Sequence, residues 1–140
     1  MSPESTTPHL VELVRETVEA GGRGDLDALL SFYAPDAVWD MSNVGMGEFE
    51  GHTAIRGFLE DWLGSYEEMR WEAEEIRDLG NGITVAVVVQ TGRPVGSTGE
   101  VQVRSAGVSI WTDGLVERVA NYADIDQGRA AAERLAAERG

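Results

Sequence analysis

Up to Tyr66 the apolar residues of this chain recur at helical spacing; beyond it they follow strand-like runs broken by tight turns, and the helical pattern returns only in the tail. That order excludes an alternating β-α-β chain. Helices bunched ahead of a meander of strands belong on one face of an antiparallel sheet, the α+β class. A strongly bent sheet wrapped over a long helix leaves a pocket between the two layers.

The turn chemistry sharpens the reading. Thr7-Pro8 reads as the N-cap and first position of a helix whose apolar face carries Leu10, Val11, Val14 and Val18, stopped by Gly21, Gly22 and Gly24. Asp25 caps a short second helix with Leu26, Leu29, Leu30, Phe32 and Tyr33, ended by Pro35. Ala37 to Met41 reads as a short strand and residues 43–51 as a glycine-rich loop. A third helix from about Thr53 buries Ile55, Phe58, Leu59, Trp62, Leu63 and Tyr66. Trp71 to Asp78 alternates poorly but reads as a strand, and Asn81-Gly82 is a hairpin turn. Ile83 to Gln90 is β-branched and almost continuously apolar, the mark of a central strand covered on both faces. Gly92 to Gly99 is a loop. Val101 to Trp111 and Leu115 to Tyr122 are strands flanking the Asp113-Gly114 turn, and Asp126 to Arg139 form a last helix.

A length of 140 residues suits a single domain, 1–140. A net charge of −14 argues against nucleic acid and anionic membrane as partners, since both demand a basic surface. There is no cysteine, hence no disulfide and no thiolate metal site. The first residues lack the basic and apolar regions of a signal peptide, and the longest apolar run, Val85 to Val89, is too short to cross a bilayer. A cytoplasmic protein is expected. No His-x-x-x-His, EF-hand or phosphate-cradling pattern occurs, so neither metal nor cofactor is expected.

Asp40 is the first candidate for chemistry. It is a carboxylate on an apolar strand beside Trp39, and a buried carboxylate is costly unless it is paired or has a task. Trp39, Trp62, Tyr66, Trp71 and Trp111 supply large apolar area suited to a flat hydrophobic ligand if they converge. Val103, Ser105, Gly107 and Ser109 share one strand face whose small residues leave room for a ligand or for a large neighbour; Arg104 lies on the other, free to pair with acidic neighbours or across a dimer interface. Gln90 is a neutral hydrogen-bonding group on the central strand, and Tyr33 offers a hydroxyl. His52 and Asp124 stand at helix starts, where capping is the simpler role.

Several stretches, in this order, resemble the SnoaL-like branch of the nuclear transport factor 2-like superfamily. They are Gly24 to Leu29, Phe32-Tyr33-Ala34-Pro35-Asp36-Ala37-Val38-Trp39, Gly51 to Arg56, Trp111-Thr112-Asp113-Gly114-Leu115-Val116 and Tyr122-Ala123-Asp124. The resemblance implies a cone-shaped barrel, a strongly bent mixed or antiparallel sheet wrapped around the N-terminal helices. It also implies one apolar pocket and a homodimer paired through the outer sheet face. Function does not follow, because the superfamily holds isomerases, cyclases, epoxide hydrolases, dehydratases and non-catalytic binders.

Asp40 lies near the general-base position of the steroid isomerases but one residue short of their spacing, which puts Met41 in the literal position. One residue on a strand reverses the face unless a bulge restores it. The first helix has Val and Leu where those isomerases carry an oxyanion tyrosine, residues 107–109 hold no carboxylate, and Asn121 stands where the epoxide hydrolases carry a strand Asp. Two expectations result. One is a small-molecule-binding protein doing cofactor-free acid/base chemistry on a polyketide-, terpenoid- or steroid-like compound. Asp40 would be its base, with Trp39, Tyr33, Trp62, Gln90, Val103, Ser105 and Asn121 shaping the pocket. The other is a non-catalytic ligand-binding or dimerisation module.

Overall fold

A computed structural model of the chain describes residues 9–139. The expected Thr7-Pro8 helix start lies outside that range. The first helix, α1 (Leu10–Gly22), buries Val14 and Val18. It runs through Gly21, which does more than stop it: a Cβ there would collide with the Trp71 indole. The short α2 (Leu26–Leu30) is capped by the Asp25 side chain, which accepts a hydrogen bond from the Ala28 N–H at 3.1 Å.

The first strand, β1 (Tyr33–Asp40), starts earlier than its sequence suggests. Tyr33 opens this strand and does not end a helix, and Pro35 lies within it. The strand tolerates proline because its pairing is irregular between Tyr33 and Val38, and Pro35 is exposed. The expected loop at residues 43–51 holds a single 3₁₀ turn (Ser42–Val44) and a three-residue strand, β2 (Glu48–Glu50). Then comes α3 (Gly51–Gly64), with Ile55 and Leu59 buried.

Tyr66 belongs to β3 (Tyr66–Gly80), which is far longer than its poor alternation suggests. The reason is three breaks in register against its neighbour, each of which shifts the in/out phase and bends the strand. β4 (Ile83–Pro94) and β5 (Val101–Thr112) confine the expected loop to residues 95–100, and β6 (Leu115–Tyr122) follows. Asn81-Gly82 and Asp113-Gly114 join their strands with both central residues at positive φ, the turn that matches strand twist. The chain ends in α4 (Ile125–Arg139), whose start Asp124 caps by accepting from the Gln127 N–H at 3.1 Å.

The six strands form one sheet in the order β2-β1-β6-β5-β4-β3. Only β1 and β6 pair in parallel, so the sheet is mixed. Its inner face wraps α1 and α3 and holds most of the core, including Leu29, Ala37, Ile55, Leu59 and Val116. On the outer face, Ile83, Val85, Ala106 and Val108 pack under Ala132 and Ala136 of α4. This explains why β4 reads as apolar on both faces. Gly128 allows the close approach, since a Cβ there would stand 2.5 Å from that of Ala106. Arg129 then grips Glu75 with two hydrogen bonds, at 2.6 and 3.2 Å, lowering the pKa of the Glu75 carboxyl through the hydrogen bonds and charge of the guanidinium. α4 thus lies over part of the outer sheet face through which the resemblance implies dimer pairing. Among the described residues no helix is long and apolar enough to cross a membrane.

Candidate functional site

The period of two along β1 decides the site. Tyr33, Ala37, Trp39 and Met41 turn inward, and Asp40 turns outward between them. Neither the bulge in β1 nor the turn after it reverses this, because Trp39 and Asp40 both keep regular pairing with β6. The inner surface encloses a cavity of about 290 Å³ whose wall is mainly apolar. All seven of the residues expected to shape a pocket line it: Trp39, Tyr33, Trp62, Gln90, Val103, Ser105 and Asn121. Asp40 does not.

The aromatic side is a connected set. Tyr33 and Trp39 stack with centroids 5.6 Å apart and planes 3° from parallel, and Trp39 meets Phe58 at 6.2 Å, tilted by 58°. Phe58 in turn contacts Trp62 at 6.2 Å, placing α3 aromatics one turn apart on the same face. Trp71 completes the group, held against α1 by the missing side chains of Gly21 and Gly22. Trp111 is not part of the cavity; it fills the core, with its indole N–H donating to the Thr84 hydroxyl at 2.9 Å. Tyr66 packs on Trp62 outside the cavity wall.

Facing the aromatics, Val103, Ser105, Gly107 and Ser109 line the cavity from β5, while Arg104 turns away to pair with Glu74 at 2.7 Å. Gln90 stands opposite Trp71 across the β3–β4 pair. Its amide oxygen accepts from both Trp62 Nε1, at 2.8 Å, and Trp71 Nε1, at 3.1 Å. Among the described residues Tyr33 is the one ionisable side chain in the wall, and burial pushes its phenol pKa well above the ordinary value. The described wall is therefore uncharged at neutral pH.

Asp40 is held on the other face. It accepts from the Ser42 N–H at 2.8 Å and the Ser42 hydroxyl at 2.5 Å, and pairs with Arg118 at 2.7 Å. Arg118 also reaches Glu48 at 3.3 Å, bridging two carboxylates that stand directly opposite each other on β1 and β2. Burial pushes the Asp40 pKa up, but the Ser42 hydrogen bonds and the Arg118 charge outweigh it and hold the carboxyl below its ordinary value. A carboxylate ionised and fully engaged in this way is a poor proton acceptor. The local signal was present: Asp followed two residues on by a bonded backbone N–H is an Asx turn, which Asp40-Met41-Ser42 forms.

His52 also lies outside the cavity. Its Nε2 donates to the Tyr33 carbonyl at 2.9 Å, tying the start of α3 to β1. Val14, Thr17 and Val18 of α1 and Met41, Val44 and Met46 line the cavity without having been expected to shape it. Their helical spacing, or their place in a glycine-rich turn, reads equally well as core or loop. No group of three or more His, Asp or Glu among the described residues is placed to hold a metal ion.

The profile of the SnoaL-like domain matches residues 14–119. No curated protein matches the chain's sequence. Among solved structures, a nuclear transport factor 2-like protein of unknown function from Burkholderia pseudomallei is similar, with a TM-score of 0.71 at 21% identity over 86% of this chain and 95% of that one. TerC, co-crystallised with polyporic acid, has a TM-score of 0.70 at 17% identity over 89% and 97%. A candidate polyketide cyclase from Xanthomonas campestris has a TM-score of 0.65 at 27% identity over 87% and 94%. The profile runs from within α1 into β6 and takes in every described cavity-lining residue except Asn121. The chain belongs to the SnoaL-like domain family.

Proposed function

We propose that this protein binds one uncharged, largely apolar, flat small molecule inside the cone and does so without acid/base chemistry at Asp40. The observation that carries the reading is the composition of the wall, which among the described residues is aromatic and aliphatic with a few neutral polar groups and no carboxylate, imidazole, ammonium or guanidinium. A charged ligand buried there would lose its hydration with no counter-charge in return. A volume near 290 Å³ is at the small end of ligand pockets and suits a compact two- or three-ring compound. That TerC, a structural relative, was co-crystallised with an organic acid supports small molecules as ligands of this fold. The ion-paired Asp40 supports the binding reading over the isomerase-type one.

The test compares 9-fluorenone, uncharged, with its 2-carboxylate, charged at neutral pH, by quenching of tryptophan fluorescence. Trp39, Trp62 and Trp71 all border the cavity and report its occupancy. Fluorenone is expected to saturate the quench, its carboxylate to bind at least tenfold more weakly, and Asp40→Asn to leave the fluorenone affinity within about twofold. Preference for the carboxylate, or loss of binding in Asp40→Asn, would overturn the proposal.

A further inference from the structure

Among the described residues that line the cavity, two are exposed: Met46 at 41% and Val103 at 43%. The lining therefore meets solvent at those two side chains. Val103 sits on β5 and is paired with Gln90 of β4. Met46 sits on the loop of residues 41–47 that joins β1 to β2, and Met41 and Val44 of the same loop also line the cavity. One rim of the mouth is thus a paired strand and the other a short loop.

That loop is lightly held. Among the described residues, its hydrogen bonds run only within itself and to Asp40. The Met41 N–H donates to the Gly47 carbonyl at 2.7 Å, the Val44 and Met46 N–H groups to the Met41 carbonyl, each at 3.0 Å, and the Gly45 N–H to the Ser42 carbonyl at 3.1 Å. The Ser42 N–H and hydroxyl reach the Asp40 carboxylate. Gly45 and Gly47 both stand at a φ of 81°, and a Cβ on either would meet nothing within 4 Å. No neighbour packs against the backbone at those two points, and glycine there lets it swing.

The feet of the loop, Asp40 and Glu48, are paired directly across β1 and β2. One nitrogen of Arg118 donates to both, at 2.7 and 3.3 Å. Asp40 passes that hold on to Ser42, the first residue of the turn that carries Val44. The outward-facing ion pairs are in this way linked to a cavity they do not touch.

Resting on the binding reading above, we propose that residues 41–47 form a gate over the cavity mouth and that Arg118, clasping both feet, holds it closed. Arg118 is a positioning residue: it touches no ligand and acts through Asp40 and Ser42 on Val44 and Met46. A ligand passes while the loop swings on Gly45 and Gly47. Closure slows entry and exit alike, so the clasp sets the ligand's residence time and leaves its affinity nearly unchanged.

Stopped-flow quenching of tryptophan fluorescence by 9-fluorenone measures both rates. Arg118→Met keeps the stem and removes the guanidinium. It should raise the association and dissociation rate constants together, each about three- to fivefold, the factor that a part-exposed ion pair is worth, with Kd within about twofold of wild type. Gly45→Ala puts a methyl into open space but strains the loop's own backbone in its left-handed conformation, and it should raise both rates in the same way. This second variant decides the matter should Arg118→Met not fold. Arg104→Met breaks a different ion pair of the outer face, to Glu74, and should change neither rate. Unchanged rates in a folded Arg118→Met or in Gly45→Ala, a rise in dissociation alone, or the same acceleration in Arg104→Met would overturn the gate and leave the binding proposal standing. No quench of the wild type at any fluorenone concentration would overturn both.

Discussion

Replacing Asp40 separates a carboxylate that holds the fold from one kept for chemistry. Asp40→Ala removes the acceptor for the Ser42 N–H and hydroxyl and the partner of Arg118. Ser42 is exposed, so its hydroxyl turns to water at little cost. Its backbone N–H loses a charge-assisted bond worth about 1.5–3 kcal/mol. Arg118 is part-exposed and retains Glu48, so the ion pair contributes only about 0.5–1 kcal/mol. The sum for Asp40→Ala is about 2–4 kcal/mol, or a fall in Tm of roughly 7–14 °C for a chain of this size. Asp40→Asn keeps an acceptor for Ser42 and loses only the charge, for about 1 kcal/mol and roughly 3 °C.

The pH dependence has a definite sign. Because the Asp40 pKa is lowered on folding, its contribution is present above the unfolded value of about 3.9 and fades as pH falls through the lower folded value. Thermal melts of wild type and Asp40→Asn should therefore differ at neutral pH and converge at strongly acid pH. A higher Tm for Asp40→Asn than for wild type at neutral pH would refute the structural role, since that is the behaviour of a carboxylate held at a stability cost for function.

Gln90→Leu strands the Trp62 and Trp71 indole N–H groups and should lower stability by about 2 kcal/mol, seen as a Tm fall of roughly 7 °C; a fall below about 2 °C would mean the two bonds contribute nothing. Gly21→Ala drives a methyl into the Trp71 ring and should cost about 1–3 kcal/mol while changing near-ultraviolet circular dichroism, because the indole must move. Gly107→Ala meets only Val119, at ordinary contact distance, so its Tm should stay close to wild type while fluorenone affinity drops several-fold as the methyl enters the cavity.

The fold was legible where local chemistry and burial agree. The two positive-φ turns, β6 and the Asp124 cap stand where their residues put them. The continuous apolar run of β4 signalled cover on both faces, which α1, α3 and α4 supply. Legibility failed where register carries the information. The bulges in β3 scrambled its alternation, and Pro35 read as a helix stop because nothing in the sequence marks the irregular pairing that accommodates it. Of the seven pocket-lining residues, Trp39, Tyr33 and Trp62 could be chosen by aromatic size and Gln90, Val103 and Ser105 by strand position, since a period of two propagates along a strand once one residue is placed, whereas Asn121 came from the family resemblance. The same rule, applied from Trp39, turns its neighbour Asp40 outward, so Trp39 and Asp40 could not both face the pocket. The partner of Asp40 was not legible, because Arg118 lies 78 residues away on β6, a pairing set by the parallel crossover.

The most direct measurement is the affinity of wild-type protein for 9-fluorenone, a ligand without titratable groups, from about pH 5 to about pH 9. Tyr33 is the sole ionisable group of the wall among the described residues and stays neutral throughout that range, so the affinity should be flat. A sigmoidal or bell-shaped profile, or no binding at any pH, would contradict a neutral cavity built to hold a neutral ligand.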